Sequence, residues 1–135
     1  MSTSKVFYKG ELRTSALHIA SGETFITDAP KDNNGKGEAF SPTDLTATSL
    51  ANCMMTIMGI AANTREIKIE KMDAEVTKIM AANPRRISEI VVNLTLKIDE
   101  DNEKNRKILT EAGINCPVAK SLHPDINQNI TFNFL

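Results

Sequence analysis

The stretch Ser41–Ala62, SPTDLTATSLANCMMTIMGIAA, decides how the rest of the chain is read. It opens with a helix-start signal. Ser41 suits an N-cap, Pro42 suits the first helical position, and Asp44 closes a capping box with Ser41. Beyond the cap, Leu45, Leu50, Met54, Met55, Ile57, Met58, Ile60 and the alanines leave no clean polar face. A helix apolar nearly all round is buried nearly all round, and the pattern predicts a buried helix from Ser41 to about Asn63. A single chain of 135 residues cannot easily cover such a helix on every side, so a second copy of the chain is expected against it. Thr46, Thr48, Ser49, Asn52 and Thr56 make the stretch too polar for a membrane span, and it is slightly short for one.

On the N-terminal side, Lys5–Lys9 and Leu12–Ala20 read as strands interrupted at Gly10. Ser21-Gly22 reads as a hairpin-type turn and Thr24–Thr27 as a third short strand. Asp28–Ala39, rich in Gly, Asn and Lys, is expected to be an exposed loop, either a flap over a site or a solvated connection. On the C-terminal side, Glu66–Met80 is a strand region whose phase slips before Met72, which predicts a bulge or a break. Asn83-Pro84 is a turn. Ile90, Val92, Leu94, Leu96 and Ile98 then alternate cleanly with Val91, Asn93, Thr95 and Lys97, the clearest strand in the chain. A second helix begins between Asp99 and Asn102, with Ile108, Leu109 and Ala112 inward and Gly113 as its stop. Cys116-Pro117 opens a short third helix through Leu122, and Ile126–Leu135 is a last strand with Ile130, Phe132 and Phe134 on one face. The order βββ–α–ββ–α–α–β gives an α+β fold with mostly antiparallel sheet, in one domain spanning 1–135.

The net charge of −1 and scattered lysines and arginines argue against a nucleic-acid partner. The polar N-terminus is not a signal peptide, and two cysteines without an export signal point to a reducing, cytoplasmic setting, where such a pair is more often redox-active than structural. Cys53, mid-helix among small and apolar neighbours, reads either as a small hydrophobe or as a thiol activated from elsewhere in the chain. Cys116 stands at a helix start, where free N–H groups favour a thiolate; on local physics it is the more acidic of the two. His18 and His123 show no metal-ligand spacing with the cysteines, and no phosphate loop, dinucleotide fingerprint or hydrolase elbow is present. No cofactor is implied.

SPTDLTATSLANC (41–53), together with CPVAKSL (116–122), resembles the OsmC/Ohr family, named for osmotically inducible protein C and organic hydroperoxide resistance protein. The resemblance extends to YKGELR (8–13), SGETFITDAP (21–30) and NPRRI (83–87), and so covers nearly the whole chain. It implies an OsmC-like fold in an intertwined homodimer, with two central helices wrapped by sheets built from both chains. It further implies a thiol peroxidase acting on organic hydroperoxides in oxidative-stress defence, recycled by an unidentified thiol reductant. Cys53 would be the peroxidatic thiol, Cys116 the resolving one, and Arg13, the only arginine of the N-terminal strands, the group that ionises the attacking thiol. The family's glutamate near the start of the long helix falls on Thr43 here. Arg13 is therefore expected to lack an orienting carboxylate, and the chain sits closer to the OsmC-like branch. The alternative reading is a non-catalytic dimer that binds a small apolar ligand in its interface crevice.

Overall fold

A computed structural model describes residues 1–135, and the chain divides into two compact units, Met1–Thr46 and Ala47–Leu135. The N-terminal unit is an antiparallel sheet in the order β1-β2-β3, formed by β1 (Ser4–Gly10), β2 (Arg13–His18) and β3 (Thr24–Asp28). Gly10, Glu11 and Leu12 carry φ values of +86°, +53° and +65°. This left-handed run reverses the chain tightly enough to make Arg13 the first residue of β2. Ser21-Gly22 turns the chain back as expected, with Gly22 N donating to the His18 carbonyl at 2.8 Å.

The segment after β3 is no loose flap. Asn33 N and Gly35 N both donate to the Pro30 carbonyl at 2.9 Å, and Gly37 N donates to the Ala29 carbonyl at 3.1 Å. Asp28 N reaches the Phe40 carbonyl at 3.1 Å and closes the loop at its base. Gly35 is required: a Cβ there would stand 1.8 Å from the Ala29 carbonyl oxygen. The long helix follows as α1 (Pro42–Thr64). Its capping box is reciprocal, with Ser41 N donating to Asp44 Oδ2 and Asp44 N to Ser41 Oγ, both at 3.0 Å.

In the C-terminal unit, β4 (Ile69–Ala81) and β5 (Arg86–Ile98) form an antiparallel hairpin, and β6 (Asn127–Phe134) lies beside β5. The β4–β5 register shifts between Ile69 and Lys71, the slip expected before Met72, and again between Ile79 and Met80. Exposed Ile79 and half-buried Met80 continue the alternation that runs from Met72. β6 runs parallel to β5, unlike every other strand pair. The cause is the crossover: α2 (Glu103–Ile114) and α3 (Pro117–Ser121) carry the chain back before it re-enters the sheet.

The core of this unit joins two periodicities. Ile90, Val92, Leu94, Leu96 and Ile98, every second residue of β5, are buried. They cluster with Ala47, Leu50, Ala51, Met54, Met58 and Ala62, one stripe of α1, and with Leu109 of α2. Full burial of each large side chain contributes about 1.5–3 kcal/mol. By length and composition α1 could cross a membrane, but its Leu50, Met54 and Met58 are fully buried in this core. The chain itself covers only one side of the helix, for Asn52, Thr56 and Ile60 remain exposed. Gly113 corrects an expectation. It is not the end of α2 but a buried helical residue, where a Cβ would meet Met58 Sδ at 3.0 Å and Met58 Cγ at 3.2 Å. α2 ends at Asn115 instead, whose N–H returns to the Glu111 carbonyl at 3.2 Å.

Leu94→Ala should cost about 2–5 kcal/mol in urea unfolding, because it opens a cavity at the centre of the buried face. Asn93→Ala, one residue along on the exposed face, should stay within about 0.5 kcal/mol of the parent.

Candidate active site

The two cysteines, remote in sequence, are neighbours in the C-terminal unit and both are free thiols. α1 places Cys53 half-buried at the margin of the core, whereas Cys116 is fully buried. Cys116 is the N-cap of α3, ahead of Pro117, and its sulfur accepts from Ala119 N at 3.5 Å. The helix start is therefore present, and the backbone N–H groups of Ala119 and Val118 do favour a thiolate. Burial outweighs them. It pushes the Cys116 thiol above its ordinary value, and the adjoining Cys53 side chain pushes it further, both as hydrogen-bond partner and as a nearby charge. Cys116 is thus a thiol that keeps its proton, against the expectation from helix position alone. Gln128 Nε2 of β6 donates to the Ala119 carbonyl at 3.0 Å and ties the short helix that bears Cys116 to the sheet.

Arg13 belongs to the N-terminal unit, and its surroundings correct the expectation that it lacks a carboxylate. Its Nε donates to Asp28 Oδ1 at 2.7 Å and its Nη2 to Asp28 Oδ2 at 2.8 Å, a bidentate pair. Nη2 also donates to Glu38 Oε1 at 2.9 Å. The Asp28 side chain is wholly buried, that of Arg13 is 27% exposed and that of Glu38 is 65% exposed. Asp28 also accepts from Glu38 N at 3.1 Å. The Arg13 bond holds the Asp28 carboxyl below the ordinary aspartate range despite burial, and the same bond holds Arg13 above the ordinary arginine range. Lys36, one residue past Gly35 in the loop, pairs with Glu11 at 2.8 Å.

Asp28 and Glu38 fall within Asp28–Ala39, whose composition reads as an exposed loop and gives no sign of a partner for Arg13. Asp28 is in fact the last residue of β3. The register that pairs Leu17 with Thr24 continues residue for residue to pair Arg13 with Asp28. Extending that hairpin register outward from Ser21-Gly22 is the signal that could have found it. Glu38 carries no comparable signal, since the folded loop alone brings it to Arg13. Thr43 takes part in the helix cap, its Oγ1 3.2 Å from Ser41 Oγ. Of the histidines, His18 Nδ1 lies 2.6 Å from Ser21 Oγ and His123 is exposed beside Asp125.

The OsmC-like protein family model matches residues 35–131. The chain belongs to the OsmC-like family. A crystal structure from Psychrobacter arcticus 273-4 is 57% identical, with a TM-score of 0.93 over 98% of this chain and 96% of that one. It is described provisionally as an osmotic stress induced and detoxification response protein. An organic hydroperoxide resistance protein from Legionella pneumophila shares the fold at 18% identity, with a TM-score of 0.72 and 98% of each chain covered. An uncharacterized protein of Methanocaldococcus jannaschii is 29% identical over 102 residues, which are 71% of this chain and 53% of that protein. The OsmC-like chain thus spans about half the length of that curated relative.

The Arg13–Asp28 pair makes the stability of this OsmC-like protein depend on pH. The folded Asp28 carboxyl ionises below its unfolded value of about 3.9, so the pair stabilises the fold above that pH. Its contribution is lost as pH falls through the lowered folded value. Urea unfolding of the parent and Asp28→Asn should show a constant gap from pH 7 to about pH 5, closing below about pH 4.

Proposed function

We propose that this OsmC-like protein is a two-cysteine thiol peroxidase that reduces organic hydroperoxides, with a role in oxidative-stress defence. The observation that carries the reading is the pairing of two free thiols of unequal access, Cys53 half-buried and Cys116 buried beside it. The Cys53 thiolate attacks the peroxide oxygen and the O–O bond breaks. Cys53 becomes a sulfenic acid, and the departing alkoxide takes a proton to leave as the alcohol. The Cys116 sulfur then displaces the hydroxyl from the sulfenic sulfur, its proton leaves with that hydroxyl as water, and a Cys53–Cys116 disulfide forms. An external thiol reductant restores both thiols. A buried, proton-holding Cys116 suits the second step: it does not compete for peroxide and waits beside the sulfur that does. Arg13 is the cationic donor of the scheme, favouring the thiolate and steadying the alkoxide. The non-catalytic alternative is motivated by the missing family glutamate, Thr43 standing at its position; against it, Arg13 pairs with two other carboxylates, Asp28 and Glu38.

The working form is a homodimer in this proposal. Val6, Phe7, Tyr8, Phe25 and Ile26 stand exposed on the three-stranded sheet, as does Ile60 on α1, and large apolar side chains on both faces of so small a sheet call for a partner. The cytoplasm, with its supply of reducing thiols, is the setting that fits the free cysteines.

Titrating the anaerobic, reduced protein with one equivalent of cumene hydroperoxide should remove two thiols per chain and form a Cys53–Cys116 disulfide. Cys53→Ser should leave Cys116 reduced, and Cys116→Ser should accumulate a sulfenic acid at Cys53 that dimedone traps. Survival of both thiols, or equally fast oxidation of the Cys53→Ser protein, overturns the reading. Sedimentation equilibrium should give twice the 14.8 kDa chain mass, and Ile60→Arg should shift the population toward the single chain.

A further inference from the structure

Alternate residues of β6 face the core. Ile130, Phe132 and Phe134 pack against it, and Ile126 does so just ahead of the strand. Gln128 is the polar exception on that side. It is half-buried and lies opposite the fully buried Ile90 in the register with β5. An amide on an apolar face is costly unless its polar atoms are bonded. Gln128 Nε2 donates to the Ala119 carbonyl of α3 at 3.0 Å. The backbone N–H of the same Ala119 donates to Cys116 Sγ at 3.5 Å. One residue of α3 thus stands between the sheet and the sulfur, held by Gln128 at its carbonyl and holding Cys116 at its N–H.

α3 needs such a tether. It has five residues, none of them fully buried, and a helix of that length has no stability of its own. Because it ends at Ser121, the Ala119 carbonyl lies beyond the reach of the helix's own N–H groups and calls for an outside donor. The bond from Ser121 Oγ to the Pro117 carbonyl, at 2.8 Å, is internal to the turn and does not fix where the turn sits. Cys53, by contrast, rides on a helix of 23 residues anchored in the core by Leu50, Met54 and Met58. Of the two sulfurs, Cys116 is the one whose place depends on a fastening. We propose that Gln128 is a positioning residue for Cys116: it docks α3 on β6 so that the Cys116 sulfur stands beside Cys53 before the disulfide forms. The inference rests on the peroxidase reading above and concerns its second step alone. There the Cys116 sulfur attacks the sulfenic sulfur of Cys53, the S–S bond forms as the S–O bond breaks, and the hydroxyl leaves with the Cys116 proton as water. With Gln128 in place, docking precedes that step. Without it, joining the sulfurs must also draw α3 into position, and the disulfide is harder to form.

The experiment separates the two steps. In a single turnover with cumene hydroperoxide, peroxide consumption reads the attack by Cys53, while acid quench, alkylation and mass spectrometry read the disulfide. Gln128→Leu should leave peroxide consumption within about twofold of the parent and let dimedone trap more sulfenic acid at Cys53. At equilibrium with reduced and oxidised dithiothreitol, the Cys53–Cys116 disulfide of that variant should be about three- to tenfold less favoured, the worth of one hydrogen bond, or about 15–30 mV. Gln128→Glu keeps the size of the side chain but presents an acceptor to the Ala119 carbonyl, so it should show the same loss, and its arm stands even where Gln128→Leu fails to fold. Ser121→Ala removes a bond internal to α3 and should behave as the parent in both measurements. A parent-like dithiothreitol equilibrium in the Gln128 variants overturns the inference. So does an equal loss in Ser121→Ala, or peroxide consumption slowed as much as disulfide formation. Absence of Cys53-dependent peroxide consumption in the parent would sink the peroxidase reading instead, and the dithiothreitol equilibrium, which needs no peroxide, would still decide whether Gln128 positions Cys116.

Discussion

The structure depends on a match between two repeats. α1 returns an apolar side chain to the same side at Ala47, Leu50, Ala51, Met54, Met58 and Ala62, and β5 does so at every second residue from Ile90 to Ile98. Neither face has a reason to exist without the other. Their joint burial fixes the sheet beneath the helix and leaves Cys53, to one side of the stripe that holds Leu50 and Met54, at the margin of the core.

Most of the elements were legible because their signals are local. The Ser41–Asp44 cap, the alternation of β5, the slip in β4 and the Ser21-Gly22 turn each depend on a few consecutive residues. What stayed hidden depends on residues far apart. The parallel pairing of β6 is decided by how α2 and α3 cross the sheet, not by anything in the strand itself. Gly113 looks like a helix stop until Met58 is seen against it. The raised pKa of the Cys116 thiol is hidden for the same reason: the helix start is visible in Cys116-Pro117, but the burial that overrides it is contributed by the core.

The candidate chemistry divides in a similar way. The two cysteines and Arg13 could be named as candidates through the family resemblance, Arg13 being the only arginine among the N-terminal strands. Their physical characters could not. Cys116 is a guarded thiol because of what surrounds it, and Arg13 is an anchored fork because a strand end and a bonded loop each bring it a carboxylate. Thr43, where a carboxylate is absent, gives the impression of a depleted site, while two carboxylates arrive at the arginine by a route that only folding reveals.

Gly113 sets how closely two segments of the C-terminal unit approach. It lets α2 close onto Met58 of the long helix, and three residues later the chain reaches Cys116, whose N–H still returns to the Gly113 carbonyl at 3.3 Å. The missing side chain thus works as a spacer of zero thickness between the helix that carries one sulfur and the segment that carries the other. Any side chain at that position would act as a wedge between α2 and the long helix, driven against Met58.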